Sequence, residues 1–182
     1  MTTDMREKKD PMISVLKLDL NSEQFAQLSA EVLRAGFSIR FRATGDSMRP
    51  LIREGDRVLV KPIAASKIKA GDVVLAEMDT GRAVMHRVIR VEQGAFTLQA
   101  DQSQQPDGVL PEASILGRLE SLHRNGAEIH LDGFRMRLLG KMIAWNARSH
   151  INNNIFKKNM IKCIKRFPGL RRYFNTEVPL EQ

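Results

Sequence analysis

Hydrophobic residues near the start of the chain recur at the three- and four-residue spacing of an amphipathic helix. Asn21 and Gln24 stand at the spacing of an N-terminal capping box, and Gly36 is a typical helix stop. Residues 1–11, before this helix, are polar and charged, which indicates a loose arm. Residues 1–36 are therefore predicted to form an arm and one amphipathic helix.

The spacing of apolar residues changes to two after this helix. Phe37, Ile39 and Phe41 alternate with polar residues, as is typical of a half-buried strand. Short apolar segments separated by turns rich in Gly, Asp and Asn follow, and they comprise residues 57–60, 72–76, 83–91, 96–99, 115–122 and 128–131. Segments of this length, joined by such turns, predict hairpins. The expected fold class is mainly β, with an antiparallel domain over residues 37–133.

Helical spacing returns at residue 134. Five apolar residues are predicted to share one side of a helix, namely Leu138, Leu139, Met142, Ile143 and Trp145. A second amphipathic segment follows, with Lys and Arg opposite its apolar residues. Residues 134–182 are therefore expected to form a basic, amphipathic helical tail.

The positive charge of the chain is concentrated in this tail. The net charge is +8, and residues 134–174 contain eleven Lys and Arg but no Asp or Glu, so subtracting eleven leaves −3 for the remainder. A cationic tail on a slightly acidic body indicates peripheral contact of residues 134–174 with an anionic membrane, and no specific binding of nucleic acid. The alternative is that the tail packs on the β domain and exposes a solvated basic face.

Several classes of protein are not expected from this sequence. No apolar run approaches the roughly 20 residues that cross a bilayer, and no signal-peptide core follows the N-terminus. Cys163 is the single cysteine, and the four histidines show no metal-binding spacing. We therefore expect a cytoplasmic protein, attached at most to a membrane surface, with no metal and no cofactor.

Two segments carry residues suited to nucleophilic chemistry. Gly45-Asp46-Ser47-Met48-Arg49-Pro50 follows the first predicted strand, and His86 lies 39 residues after Ser47 in a later strand. A serine hydroxyl needs a neighbour that accepts its proton, and an imidazole, with a model-peptide pKa of about 6.5, can do so near neutral pH. Taken singly, Ser47 could be a turn residue and His86 a half-buried strand histidine.

The residues around Ser47 have expected roles of their own. Gly45 permits a sharp turn that would direct the backbone N–H of Ser47 towards a developing oxyanion. Met48 is expected to line the substrate groove or to pack beneath the nucleophile, and Pro50 to stiffen the end of the turn.

The order and spacing of these segments over residues 43–119 resemble the peptidase core shared by signal peptidase I and the self-cleaving SOS-type repressors. The resemblance implies a signal-peptidase-like β fold, Ser47 as nucleophile, and a general base on the later strand. Repressors and typical bacterial signal peptidases have a lysine there. His86 at this place resembles the endoplasmic-reticulum and archaeal branch of signal peptidases. The implied activity is that of a serine endopeptidase acting on an extended peptide or protein substrate with small residues near the cut.

The same branch has a Gly-Asp-Asn segment after its histidine and a second aspartate six residues later. Here the corresponding residues are Ala100-Asp101-Gln102 and Asp107. The resemblance therefore implies that Asp101 or Asp107 completes the catalytic site by holding His86. We expect Asp101 in this role first and Asp107 second.

Two further functions remain open from the sequence. The chain could be a non-catalytic peptide- or membrane-binding module on the same fold. It could also be a self-cleaving regulator, with Ala35-Gly36 as the internal Ala-Gly bond, although this bond lies close to Ser47. Three lysines are alternative candidates for the base, namely Lys61, Lys67 and Lys69. They precede the strand on which the family has its lysine and this chain has His86, so we expect them to be surface charges.

Overall fold

A computed structural model describes residues 20–148 of the chain. Within this range an eight-stranded sheet is preceded by one α-helix and followed by another. The elements are α1 (Ser22–Arg34), β1 (Ile39–Arg42), β2 (Arg57–Lys61), β3 (Val73–Glu77), β4 (Ala83–Glu92), β5 (Ala95–Gln99), β6 (Gly108–Pro111), β7 (Ile115–Arg124), β8 (Ala127–His130) and α2 (Phe134–Arg148). The predicted arm, Cys163 and the tail beyond residue 148 lie outside the described residues.

All the strand pairings within the described range are antiparallel. The strand order is β1-β2-β7-β3-β4-β5-β6, and β8 pairs with β7. The predicted mainly β, antiparallel fold with an N-terminal and a C-terminal helix is thus confirmed. The sequence pattern did not indicate β6, a four-residue edge strand that ends at Pro111. This short strand matters because it begins directly after Asp107.

Helix α1 begins with the predicted capping box. The Asn21 side chain accepts from the backbone N–H of Gln24, and the Gln24 side chain accepts from the backbone N–H of Asn21. The buried face of the helix contains Leu33, which packs towards β7 at Gly117. A Cβ on Gly117 would lie 3.2 Å from the Leu33 side chain and 2.8 Å from the Lys61 carbonyl oxygen, so only glycine allows this approach.

The sheet separates two hydrophobic clusters. Val73 and Leu75 of β3 belong to the larger cluster, which also includes residues of α1, α2 and the loop between β1 and β2. Val74 and Ala76 belong to the second cluster, which β4, β5 and β6 complete. Because successive residues of a strand point to opposite faces, β3 contributes to both clusters and is buried on both sides.

Helix α2 packs on the sheet through a close glycine contact. A Cβ on Gly140 would lie 2.6 Å from the Gly71 carbonyl oxygen, so the helix meets the turn before β3 backbone to backbone. Leu139 and Ile143 pack in the larger hydrophobic cluster. Of the five apolar residues predicted to share one side of α2, these two pack on the sheet, whereas Leu138, Met142 and Trp145 are exposed. Neither α1 nor α2 is long and apolar enough to cross a membrane.

Candidate active site

Ser47 lies in the loop that joins β1 to β2, and the ends of this loop are tied together. The backbone N–H of Ala43 donates to the Asp56 carbonyl oxygen, and the backbone N–H of Gly55 donates to the Ala43 carbonyl oxygen, both at 2.8 Å. Gly45 has φ +77°, a left-handed conformation that glycine adopts without strain. The chain therefore turns sharply just before Ser47, which is exposed.

The buried carboxylate of Asp56 holds this loop from below. It accepts hydrogen bonds from the backbone N–H of Arg53 at 2.8 Å and from two guanidinium nitrogens of Arg124 on β7. Arg124 also donates to the Leu51 carbonyl oxygen at 2.9 Å. We call these contacts the Asp56 clamp. Both oxygens of this carboxylate are hydrogen-bonded and the residue is 5% exposed, so the clamp fixes the loop that carries Ser47.

The predicted contact between the serine and the histidine is present. Ser47 Oγ lies 3.2 Å from Nε2 of His86, which β4 carries. Antiparallel pairing of β4 with β3 and β5 fixes the backbone at His86, so the imidazole direction is set by the sheet. Only 13% of the His86 side chain is exposed, so the ring is largely shielded from water while the hydroxyl is accessible.

Asp107 lies on the other side of the imidazole. Its Oδ2 atom is 2.7 Å from Nδ1 of His86, and its own backbone N–H donates to the Leu98 carbonyl oxygen at 2.9 Å. The second bond is continuous with the pairing of Leu98 with Gly108 between β5 and β6. The carboxylate is therefore positioned at the edge of the sheet, on the residue just before β6, the strand that the sequence pattern did not indicate.

The two hydrogen bonds define which nitrogen carries the proton. A carboxylate can only accept, so Nδ1 of a neutral His86 must carry the hydrogen and donate it to Asp107. Nε2 is then left with its lone pair facing Ser47 Oγ, and the hydroxyl donates to it. The hydroxyl, imidazole and carboxylate thus form one continuous hydrogen-bonded row.

Asp101, which was expected to hold the histidine, pairs instead with Arg87. The two carboxylate oxygens accept from Nε and Nη2 of Arg87 at 2.7 and 2.6 Å, and the third guanidinium bond goes to the Gly71 carbonyl oxygen at 2.8 Å. His86 and Arg87 are adjacent on β4 and so face opposite sides of the sheet. This alternation assigns Asp107 to the imidazole and Asp101 to the guanidinium, which corrects the expected order of the two aspartates.

The segment Ala100-Asp101-Gln102 nevertheless contacts the nucleophile loop. The backbone N–H of Gln102 donates to the Ser47 carbonyl oxygen, and its side-chain amide donates to the Arg49 carbonyl oxygen, both at 2.9 Å. Sequence reasoning missed these roles of Gln102 and Arg87. A detectable signal was Arg87 itself, because an arginine inside an apolar strand requires a buried carboxylate partner.

Met48 is buried beneath the nucleophile turn. Its exposure is 4%, it belongs to the larger hydrophobic cluster, and its sulfur accepts from the backbone N–H of Asp101 at 3.5 Å. The expectation that Met48 lines an open substrate groove is therefore not met, whereas packing beneath the nucleophile is observed. The side chain anchors the turn from the inside while Ser47 faces out.

No group of histidine, cysteine, aspartate and glutamate residues suited to a metal ion occurs within residues 20–148. Of the lysines considered as alternative bases, Lys61 donates to Glu120 at 3.2 Å. The side chains that contact one another at Ser47 are one hydroxyl, one imidazole and one carboxylate, a set suited to acid–base chemistry.

A hydroxyl, an imidazole and a carboxylate in one row form an arrangement that can activate a nucleophile by proton transfer. The family model described as Peptidase S24-like matches residues 14–120, which is more than half of the chain. The chain therefore belongs to the Peptidase S24-like family, and a protease-type enzyme is the class that this membership supports. Comparison with curated proteins gives no match.

Proposed function

We propose that the protein is a serine endopeptidase that cleaves an extended segment of another peptide or protein. Ser47 is the nucleophile, His86 is the general base, and Asp107 holds the imidazole. The observation that carries this proposal is the hydrogen-bonded row from Ser47 Oγ through both nitrogens of His86 to Asp107.

The reaction follows from this row. As Ser47 Oγ attacks the substrate carbonyl carbon, its proton passes to Nε2 of His86. Asp107 stabilises the resulting imidazolium through the Nδ1 hydrogen bond. His86 then gives the proton to the leaving amine, the peptide C–N bond breaks, and an acyl-enzyme remains on Ser47. Water, activated by His86 in the same way, releases the acid product and restores the hydroxyl.

The turn around Ser47 supports oxyanion stabilisation. Within residues 20–148, the Ser47 backbone N–H forms no hydrogen bond, so it can donate to a substrate oxygen. The left-handed Gly45 directs the chain into this turn. Loss of one oxyanion donor commonly costs about 10² to 10³ in rate, which makes this N–H comparable in importance to a side chain.

Histidine in place of the family's lysine favours the endoplasmic-reticulum and archaeal type of signal peptidase as the nearest mechanistic relative. The carboxylate at Asp107 supports this assignment, because an imidazole gains orientation from a carboxylate on its second nitrogen. A lysine base needs no such partner to fix a tautomer.

A fluorophosphonate probe, which forms a covalent bond with an activated serine, tests the proposal. We expect the wild-type chain to be labelled at Ser47, and Ser47→Ala and His86→Ala to lose labelling by about 10⁴-fold or more. Ser66→Ala is the matched control, because Ser66 is an exposed serine outside the row, and this variant should label normally. A library of peptides with alanine at successive positions, read by mass spectrometry, then identifies the cleaved bond.

Two results would count against the enzyme. Labelling that persists in Ser47→Ala would show that the probe reports another residue. A folded wild-type chain that neither labels nor cleaves any peptide would support the non-catalytic binding module instead.

A further inference from the structure

Helix α2 presents two different surfaces to solvent. At about 100° per residue, Leu138, Met142 and Trp145 fall within an arc of about 60°. They are 49%, 42% and 56% exposed, and we call them the apolar stripe. Arg137, Lys141 and Arg148, also exposed, fall within a neighbouring arc of about 40°, which we call the basic stripe.

The segment of sequence that contains these stripes carries charge of one sign. No Asp or Glu occurs between residues 134 and 174, a segment with eleven Lys and Arg. Within the described range, the three cations of the basic stripe form no ion pair with other residues. The surface therefore suits a partner that is anionic and also accepts apolar side chains.

We propose that α2 docks on an anionic lipid bilayer, with the apolar stripe inserted at the acyl boundary and the basic stripe against the headgroups. Phosphate groups of a nucleic acid would contact the basic stripe but would gain nothing from Leu138, Met142 and Trp145. A second copy of the chain would bury three cations with their like-charged counterparts, which is unfavourable. An amphipathic helix with tryptophan, leucine and cations matches the lipid interface in both respects.

Helix α2 is linked to the strand that carries His86. The Gly140 contact joins α2 to Gly71, and Gly71 accepts a hydrogen bond from Arg87, the neighbour of His86. The helix is thus connected to the catalytic strand through backbone and a buried guanidinium. If the proposed function holds, the enzyme acts on peptide segments that emerge at a membrane surface.

Trp145 provides a direct measurement, because it is the only tryptophan in the chain. The full-length protein is mixed with vesicles of phosphatidylcholine alone or with about one third phosphatidylglycerol. We expect a blue shift of the emission and quenching by brominated acyl chains with the anionic vesicles only. The double variant Leu138→Gln with Met142→Gln, which keeps the tryptophan, should bind about tenfold more weakly or worse.

The basic stripe is tested in the same assay. Arg137→Gln and Lys141→Gln should each lower the affinity about fivefold and weaken its dependence on salt. The matched controls are Val91→Gln and Lys67→Gln, which change an exposed apolar and an exposed basic residue away from α2 and should bind as the wild type does. Ser47→Ala should also bind normally, which separates docking from peptidase activity.

Three results would overturn the proposal. One is binding to anionic vesicles with no change in Trp145 emission or quenching, because another surface would then be responsible. Another is the absence of binding to anionic vesicles. The third is binding to duplex DNA that is tighter than binding to vesicles and that the glutamine substitutions at Leu138 and Met142 leave unchanged. The basic surface would then be assigned to nucleic acid.

Discussion

At the scale of single residues, the site depends on the alternation of side chains along β4. His86 faces the serine, while Arg87 faces α2 and the turn at Gly71. Each of these neighbours requires a carboxylate, one to orient a ring and one to neutralise a buried charge. Asp107 and Asp101 supply them from opposite sides of the sheet. The two aspartates therefore have different effects when changed.

Replacing Asp107 with asparagine should impair catalysis and leave the fold intact. The amide can donate to Nδ1 and so favour the tautomer in which Nε2 carries the hydrogen, which cannot accept the Ser47 proton. We expect the rate of fluorophosphonate labelling to fall by about 10⁴-fold. The melting temperature should stay close to that of the wild type, because Asp107 is a partly exposed residue. Unchanged labelling would exclude Asp107 from the mechanism.

Replacing Asp101 with asparagine should destabilise the fold rather than act directly on catalysis. Arg87 and Asp101 are 3% and 4% exposed, so the change leaves a buried guanidinium charge without its counter-ion. Loss of one partner of a buried ion pair typically costs about 3–5 kcal/mol. We expect a large fall in the free energy of unfolding, measured by urea denaturation. If Asp101→Asn instead left stability unchanged but abolished labelling, Asp101 would act on the imidazole directly.

The contact between Ser47 and His86 could be predicted from sequence, because both lie in short segments whose order and spacing resemble a known peptidase core. The choice between the aspartates could not, since it depends on strand register and on which face each loop reaches. Asp107 takes its position from β6, whose pairing with β5 is a tertiary feature. Gln102 contacts the nucleophile loop through its backbone N–H as well as its side-chain amide, and a backbone contact leaves no clear mark on residue type.

At the scale of elements, the sequence predicts strands well where apolar alternation is long and turns are marked by glycine. Strands β2, β3, β4, β5, β7 and β8 coincide with predicted segments to within a few residues. Strand β6 was missed because an edge strand of four residues needs little apolar pattern. The face of α2 was misjudged because hydrophobicity alone does not distinguish a residue that packs on the sheet from one that faces solvent.

The glycine contact between α2 and the β3 turn should tolerate no side chain. Gly140→Ala would normally favour a helix, but the new Cβ would lie 2.6 Å from the Gly71 carbonyl oxygen, and α2 must shift. We expect a loss of about 1–3 kcal/mol in thermal or urea unfolding. Gly133→Ala is the control, since a Cβ there meets nothing within 4 Å and no change is expected. A stabilised Gly140→Ala would contradict this packing.

The β7–β8 hairpin should add a pH-dependent contribution to stability. The Ser121 hydroxyl donates to Glu128 at 2.7 Å and lowers the pKa of that carboxyl below 4.5, although burial partly opposes the shift. The pKa of Glu128 is lower in the folded chain than in the unfolded chain. Its contribution to the free energy of unfolding is therefore present above the unfolded-state pKa, and it is lost as the pH falls through the folded-state pKa. Ser121→Ala should raise the Glu128 pKa in an NMR titration. Ser121→Ala should melt at a lower temperature than the wild type near neutral pH, and this difference should become smaller in acid. Ser66→Ala should show neither effect.

At the scale of the whole molecule, the candidate site joins segments that are far apart in sequence. The Asp56 clamp fixes the serine loop to β7, Gln102 ties that loop to the end of β5, and Arg87 links β4 to the turn at Gly71 that α2 contacts. A preorganised row of this kind is suited to act on a segment that arrives from outside, because little has to move before reaction. Self-cleavage would instead require part of the fold to open.

We therefore predict that the chain does not cut itself at Ala35-Gly36. The backbone N–H of Gly36 donates to the Leu33 carbonyl oxygen and closes the end of α1, while β1 is paired with β2 a few residues later. A peptide must be extended to bind along a protease strand, so α1 would have to unwind and β1 to detach. Intact-mass measurement after prolonged incubation at neutral and alkaline pH should give one species, identical to that of Ser47→Ala. The contrary result would be two fragments in the wild type alone, with masses that add up to that of the chain plus one water. This result would identify a self-cleaving regulator, whose extended substrate is the chain's own N-terminal region.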